Sequence, residues 1–253
     1  MKTRLLAVAI LIAFGIARMP FEQRLADEHR AAFFHGAQLN LDLRQQLGQM
    51  GFLAALSGFR AVVADVLWIE AYNAWTRTEW GTMKLLFDAV TSLQPRCTMF
   101  WDMAAWHMAW NASVAALNDR NQPREALRIK AQHEYFRMGE DFLLRGIQNN
   151  PDKGFLYEKL GALYDQKMHD PCKAAVYFEK AATFPDAFPY VKRLAAFRLA
   201  ECPGHEREAY AKLVALYKMG EAERVPTLLT KLRELEENLS VPPDQRIYSP
   251  RIP

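Results

Sequence analysis

Aromatic residues that stand close together between positions 68 and 111 are the part of this chain best suited to chemistry. The run FWDMAAWHMAWN contains Trp101, Trp106 and Trp110, and Trp68, Trp75 and Trp80 precede it. Such rings form either an aromatic cage around a ligand or the filling between packed helices. We predict core packing for Trp68 and for the later three tryptophans, with Asn111 or Asp102 accepting from indole N–H groups.

The best candidates for acid–base work are Asp65 and Glu70, because both lie in an apolar helical segment, although a buried structural network explains them equally well. Asp65 shares the run FLAALSGFRAVVADVLWI with Arg60. Either charge is costly at a bilayer centre, so we predict a buried helix of a soluble core and not a second membrane span. Arg60 and Asp65 would then lie in the core and pair with each other or with neighbours. An enzyme that uses Asp65, Trp106 and His107 is the less favoured alternative.

Patterns of known catalytic, metal and nucleotide sites are missing from the sequence. None of the six histidines stands four residues from another, as in H-E-x-x-H, and none accompanies a cysteine pair. Neither a glycine-rich phosphate loop nor a nucleophile elbow occurs. We therefore expect no cofactor, no metal site and no enzymatic activity. A net charge of +3 with both signs interleaved gives nucleic-acid binding little support.

The N-terminus carries a targeting signal. Two positive charges precede LLAVAILIAFGIA, the uncharged run 5–17, and Arg18, Met19 and Pro20 end it. About 20 residues are needed to span a bilayer core, so the run has the length of a signal-peptide core. We predict a membrane anchor over 1–20 with the remainder outside the cytoplasm of a bacterium. A cleaved signal, which releases a periplasmic or secreted protein, and a buried apolar helix stay open.

Three cysteines are too few for a disulfide framework. Cys172 and Cys202 each fall near the turn between the two helices of successive repeats, so they are the pair to test in an oxidising compartment. The simpler expectation is that these two and Cys97 are unpaired, partly buried thiols.

Helices must position all of these residues, because glycine and proline leave long runs free of breakers and apolar residues recur at helical spacing. We predict an all-α protein. Connecting helices occupy 21–50, divergent Trp-rich helical repeats 51–153 and two clearer repeats 154–220. A capping helix follows over 221–240, and an extended, proline-rich tail ends the chain over 241–253.

The clearest repeat begins after Pro151 and closes at Pro185, 34 residues later. In its first helix, four residues of one face follow the order large, large, small, large. In its second helix, an alanine is followed by a phenylalanine four positions later and by another alanine three positions after that. These core positions are Tyr157, Leu160, Gly161 and Tyr164, then Ala174, Phe178 and Ala181. The period and pattern are those of the tetratricopeptide repeat, in which small residues let two helices approach and aromatic rings fill the adjacent holes. A second unit follows, with Ala209, Leu213 and Leu216 at equivalent places.

Longer segments carry a family resemblance. LSGFRAVVADVLWIEAY, LQPRCTMFWDMAAWHMAWNAS, FLLRGIQNNPD and the stretch from LYEKLGALYDQKMHDPCKAA onwards resemble a family of bacterial membrane-anchored tetratricopeptide-repeat proteins. The similarity covers most of the chain after about residue 40. It implies a repeat fold and an envelope location. The family has no established biochemical activity, so no catalytic residue is carried over.

A protein of this architecture is expected to hold a protein partner as a membrane-tethered scaffold or adaptor. By the usual repeat geometry, positions on the first helices line the binding face: Glu158, Ala162, Asp165, Lys192 and Ala196. The alternative is a structural subunit of a larger membrane or envelope assembly, with the N-terminal helix packed among partner helices. Self-association into an oligomer is compatible with either interpretation.

Overall fold

The computed structural model describes residues 13–20, 24 and 58–247. Every regular element in these ranges is helical, so the all-α prediction is confirmed. The chain forms two compact units, Met1–Asn150 and Pro151–Pro253, called unit 1 and unit 2 below. The connecting helices predicted over 21–50 and most of the predicted anchor lie outside the described residues. Positions 13–20 are helical, with Phe14 and Ile16 exposed.

Residues 58–150 of unit 1 form five α-helices and one π-helical segment. They are α1 (Arg60–Thr76), α2 (Trp80–Leu93), α3 (Thr98–Trp106), the π-segment His107–Ala112, α4 (Ser113–Leu117) and α5 (Glu125–Asn149). Helix α1 packs against α2, and α5 packs along α3, the π-segment and α4. Within the described residues, no helix is both long enough and apolar enough to cross a membrane.

Helix α1 buries only one face, which consists of small residues. Ala64, Ala71 and Ala74 are fully buried. Asp65 is exposed, so its predicted place in the core is wrong. The half-buried Val63, Leu67 and Trp68 flank this alanine face and pack against the same core. Asp65 points away from it. Arg60, at the first position of the helix, is half-buried.

The carbonyl of Pro95 joins three parts of unit 1. It accepts hydrogen bonds from the Trp101 indole Nε1 at 2.9 Å and from the Asn150 Nδ2 at 2.8 Å. Asn150 is fully buried and also donates to the Gly146 carbonyl, 2.9 Å away. The end of α5 is thereby tied to the turn between α2 and α3. Trp101 is buried as predicted, but its acceptor is this backbone carbonyl and neither Asn111 nor Asp102.

The π-segment allows α5 to approach at a glycine. A Cβ on Gly139 would lie 2.8 Å from the Cβ of Ala109 and 3.0 Å from the Ala105 carbonyl oxygen. Both alanines are buried. A single wide turn inserted in an α-helix rotates the side chains after it, and such segments are frequent at functional sites.

The described part of unit 2, residues 151–247, contains five α-helices, each packed against the next along the chain. They are α6 (Gly154–Gln166), α7 (Pro171–Ala182), α8 (Pro189–Leu199), α9 (Glu206–Met219) and α10 (Pro226–Asn238). The capping helix begins later than predicted, at Pro226, after a 3₁₀ turn over Glu221–Glu223. Pro226 occupies the first turn because its missing N–H has no helical acceptor there.

Helices α6 and α7 make a close contact at a glycine. A Cβ on Gly161 would lie 2.8 Å from the Cδ1 of Phe178. The phenylalanine is buried, as are four other positions of the pattern: Leu160, Tyr164, Ala174 and Ala181. Tyr157 is only half-buried. The connection between the helices is one residue longer than the tetratricopeptide consensus. His169 in it takes a positive φ of 52°, and the Asp170 carboxylate caps α7 by accepting from the Lys173 amide at 3.0 Å.

Contacts between successive helical hairpins of unit 2 join residues about 30 positions apart. The Tyr190 hydroxyl donates to Glu158 Oε1 over a separation of 32 residues, and Lys212 pairs with Glu179 over 33. Cys172 and Cys202 form a disulfide, with Cα atoms 4.9 Å apart and a separation of 30 residues. The expectation of three unpaired thiols is therefore wrong. The disulfide joins Cys172 and Cys202, the two cysteines that the sequence singled out as a possible pair.

Candidate functional site

An aromatic pocket of about 180 Å³ lies in unit 1, called the aromatic pocket below. Helices α1, α2 and α3 and the π-segment supply its wall. The lining residues are Trp68, Tyr72, Trp75, Phe87, Met103, Trp106 and His107. Apart from the imidazole, the hydroxyl and indole N–H groups and the Met103 thioether, the wall is hydrocarbon. A concave apolar site with few polar groups is the usual form of a small-ligand site.

The rings of the wall contact one another around His107. Its centroid lies 5.0 Å from that of Trp106, 5.4 Å from Trp75 and 5.6 Å from Phe87. The Trp75 and Trp106 contacts are edge-on, the geometry that aligns a ring edge with a neighbouring π face. The imidazole therefore has aromatic neighbours from α1, α2 and α3.

His107 is neutral at physiological pH, because burial among these rings lowers the pKa of His107 to about 4. Its Nδ1 lies 3.0 Å from the Nδ2 of Asn111. Since an amide nitrogen donates, Nδ1 accepts and the ring proton sits on Nε2. The site thus contains an uncharged imidazole that offers a donor and no positive charge.

The outer edge of the aromatic pocket is formed by large side chains that remain in water. Tyr72 is 57% exposed and Trp106 is 41% exposed. The prediction that Trp106 belongs to the core is therefore wrong, whereas Trp68 and Trp110 are half-buried. Trp106 is the last residue of α3, directly before the π-segment.

The aromatic pocket unites only part of the Trp/Asp/His set considered from sequence. Trp106 and His107 line it, but Asp65 does not. Asn111 takes part through its bond to the imidazole. Among the described residues, no three His, Cys, Asp or Glu side chains cluster as metal ligands would.

The first helices of unit 2 form a second candidate surface, called the first-helix face below. It is defined by α6 and α8, which are joined by two side-chain contacts. The Tyr190 hydroxyl donates to Glu158 Oε1 at 2.7 Å, and burial together with this bond raises the pKa of Tyr190 to about 12. About two helical turns further along both helices, Arg198 Nε contacts Asp165 Oδ1 at 2.9 Å. Two cross-links between α6 and α8 thus hold this surface in a fixed arrangement.

Four of the five residues predicted to line a binding face are at least partly accessible. Lys192 is exposed, and Glu158, Ala162 and Asp165 are half-buried. Ala196 is only 1% exposed and packs in the core with Ala175 and Phe197, so its assignment to an accessible face is wrong. The helical register places its small side chain toward α7, where only a small residue fits.

An exposed apolar row on α1 was missed by the sequence reasoning. Val62, Val66, Ile69 and Tyr72 are each more than half exposed. Their spacing of four, three and three residues places them on one side of the helix. This spacing was visible in the sequence. However, a helix with apolar residues on every side gives no signal as to which side packs against the rest of the protein.

Comparison of the chain with protein-family models, with curated proteins and with solved structures finds no match.

Proposed function

We propose that this chain is a tetratricopeptide-type repeat protein that binds a protein partner on the first-helix face and has no catalytic role. The observation that carries the proposal is the pairing of α6 with α8 through Tyr190–Glu158 and Arg198–Asp165. In repeat proteins, equivalent helices of successive repeats line up side by side and create one continuous binding surface.

The spacing of contacts along the chain supports the repeat assignment. Glu158–Tyr190 and Glu179–Lys212 are separated by 32 and 33 residues, close to the tetratricopeptide period of 34. The first pair joins the first helices of two hairpins, and the second pair joins their second helices. Gly161 against Phe178 supplies the small-against-large contact that the repeat requires.

The proposed location is the outer side of a bacterial membrane, with residues 1–20 as anchor or signal. The Cys172–Cys202 bond supports it, because disulfides persist in oxidising compartments and are rare in the cytosol. Alkylation of thiols in intact cells before lysis tests this location. We expect only Cys97 to react without reductant; reaction of all three cysteines would contradict the location.

Photo-crosslinking in native membranes tests the binding face. A photoreactive residue replaces Lys192 on α8 or, as matched control, Lys180 on α7; both lysines are exposed. We expect a discrete crosslinked partner from position 192 and none from position 180. Crosslinking from 180 alone, or equally from both, would contradict a partner on the first-helix face.

The exposed apolar row on α1 favours a second candidate, a structural subunit of a larger assembly. Contiguous exposed apolar side chains mark interaction surfaces. Replacing Val66 and Ile69 by lysine would then shift the protein to a smaller species on native gels, and deletion of 1–20 would do the same. Retention of the crosslink from position 192 in both variants, without any change in size, favours the scaffold.

A further inference from the structure

We propose that the aromatic pocket is a binding site for a small, neutral, ring-sized apolar molecule. The argument rests on its size, on its wall and on the uncharged state of its one imidazole. It concerns unit 1 alone and is independent of the partner proposed for unit 2.

The volume of the aromatic pocket matches a single ring. About 180 Å³ slightly exceeds the ~150 Å³ of an engineered apolar protein cavity that stays dry and binds benzene. Unlike that enclosed cavity, the aromatic pocket opens to solvent, so a ligand would displace water from a mostly apolar wall. Tyr72 and Trp106 stand exposed at its edge, so a ligand has a route from solvent.

The wall selects a neutral ligand over a cation. Aromatic faces attract cations such as quaternary ammonium groups, and three tryptophans would suit one. However, the described lining contains no carboxylate to accompany a cation, and the only imidazole presents an Nε2–H donor. The same desolvation that keeps His107 uncharged also opposes the entry of any other cation.

The neighbouring rings hold the wall in place without a ligand. Trp68 packs against Phe87 and Phe100, with centroids 5.4 Å and 5.0 Å apart, and the imidazole is fixed by Asn111. Phe87 is buried. A wall anchored in the core is preformed, so a ligand does not have to order it.

Titration of the full chain with fluorobenzene, followed by ¹⁹F NMR, tests the site. We expect saturable binding with a dissociation constant on the order of 1 mM, and competition by benzene. Tetramethylammonium, followed by ¹H NMR, should show no saturable binding. Absence of fluorobenzene binding, or binding of tetramethylammonium in its place, would overturn the proposal.

Two alanine variants locate the bound molecule. Trp106→Ala removes one wall of the aromatic pocket and should weaken fluorobenzene binding at least fivefold. Trp80→Ala, at the start of α2 and outside the lining, is the matched control and should leave binding unchanged. Tyr72→Ala repeats the test at a second exposed position if the first variant folds poorly. Equal affinities in all variants would place the ligand elsewhere and refute the site.

Discussion

Reduction of the Cys172–Cys202 disulfide is expected to destabilise unit 2 strongly. The bond connects the first turn of α7 to the turn between α8 and α9, so it joins two successive hairpins. A cross-link stabilises a fold mainly by restricting the unfolded chain, and the effect grows with the loop that it closes. Cys202 is also buried in the unit 2 core, so the bond is anchored at one end in packed structure.

The size of the effect follows from the loop length. For a separation of 30 residues, the loop-closure relation gives an entropy of about 12 cal/mol/K, or about 3.6 kcal/mol at 25 °C. With a urea dependence of about 1.5 kcal/mol per M for a domain of this size, the midpoint should fall by about 2.4 M. Such a loss is a large part of the stability of an ordinary domain.

Urea unfolding followed by circular dichroism, with and without reductant, measures this loss. All six tryptophans lie in unit 1, so their fluorescence reports on that unit separately. The double variant Cys172→Ala/Cys202→Ala should have the urea midpoint of the reduced protein, and reductant should not change it. In Cys97→Ala, reductant should lower the midpoint as much as it does in the wild type. If reductant leaves the wild-type midpoint unchanged, or if three free thiols are counted in the folded protein, the reasoning fails.

Three further changes test other parts of the fold. Gly161→Ala forces a Cβ to within 2.8 Å of Phe178 and should cost about 1–3 kcal/mol in urea unfolding, whereas Gly81→Ala, with open space around it, should cost nothing. The pKa of about 4 for His107 lies below the value in the unfolded chain, so the neutral imidazole contributes fully to the free energy of unfolding above pH 6.5, and this contribution is lost as pH falls toward 4. We expect the free energy of unfolding to fall by roughly 1–2 kcal/mol over that window. The fall should be absent in His107→Phe. Asn150→Ala removes two buried hydrogen bonds and should cost about 1–3 kcal/mol by the fluorescence of unit 1; an unchanged midpoint would show that water replaces the amide.

Helical periodicity sufficed to predict the helices and the core of unit 2. Gly161, Phe178 and Ala174 were recognisable because a repeat fixes which positions face the neighbouring helix. The same logic failed at Ala196, since a small residue suits both a buried contact and an open groove. Spacing alone does not show whether Ala196 lies in a buried contact or in an open groove. The rotation of α8 about its axis determines which side of the helix is buried.

Unit 1 was harder to predict for two physical reasons. The apolar run around Asp65 has no polar side, so amphipathicity gave no orientation, and the buried face proved to be the alanines. The π-segment at His107 shifts the helical register by about one residue, which no local propensity signals. The lining of the aromatic pocket comes from α1, α2, α3 and the π-segment, so its assembly depends on helix packing that the spacing of its residues does not encode.

The nearly constant spacing of contacts in unit 2 has a consequence for how it folds. Each hairpin meets partners only about 30 residues away, as in Glu158–Tyr190 and Glu179–Lys212, so no closure of a long loop is needed before contacts form. Chains of low contact order fold fast. Hairpin α6–α7 is thus able to serve as a template on which α8 and α9 condense as they leave the ribosome.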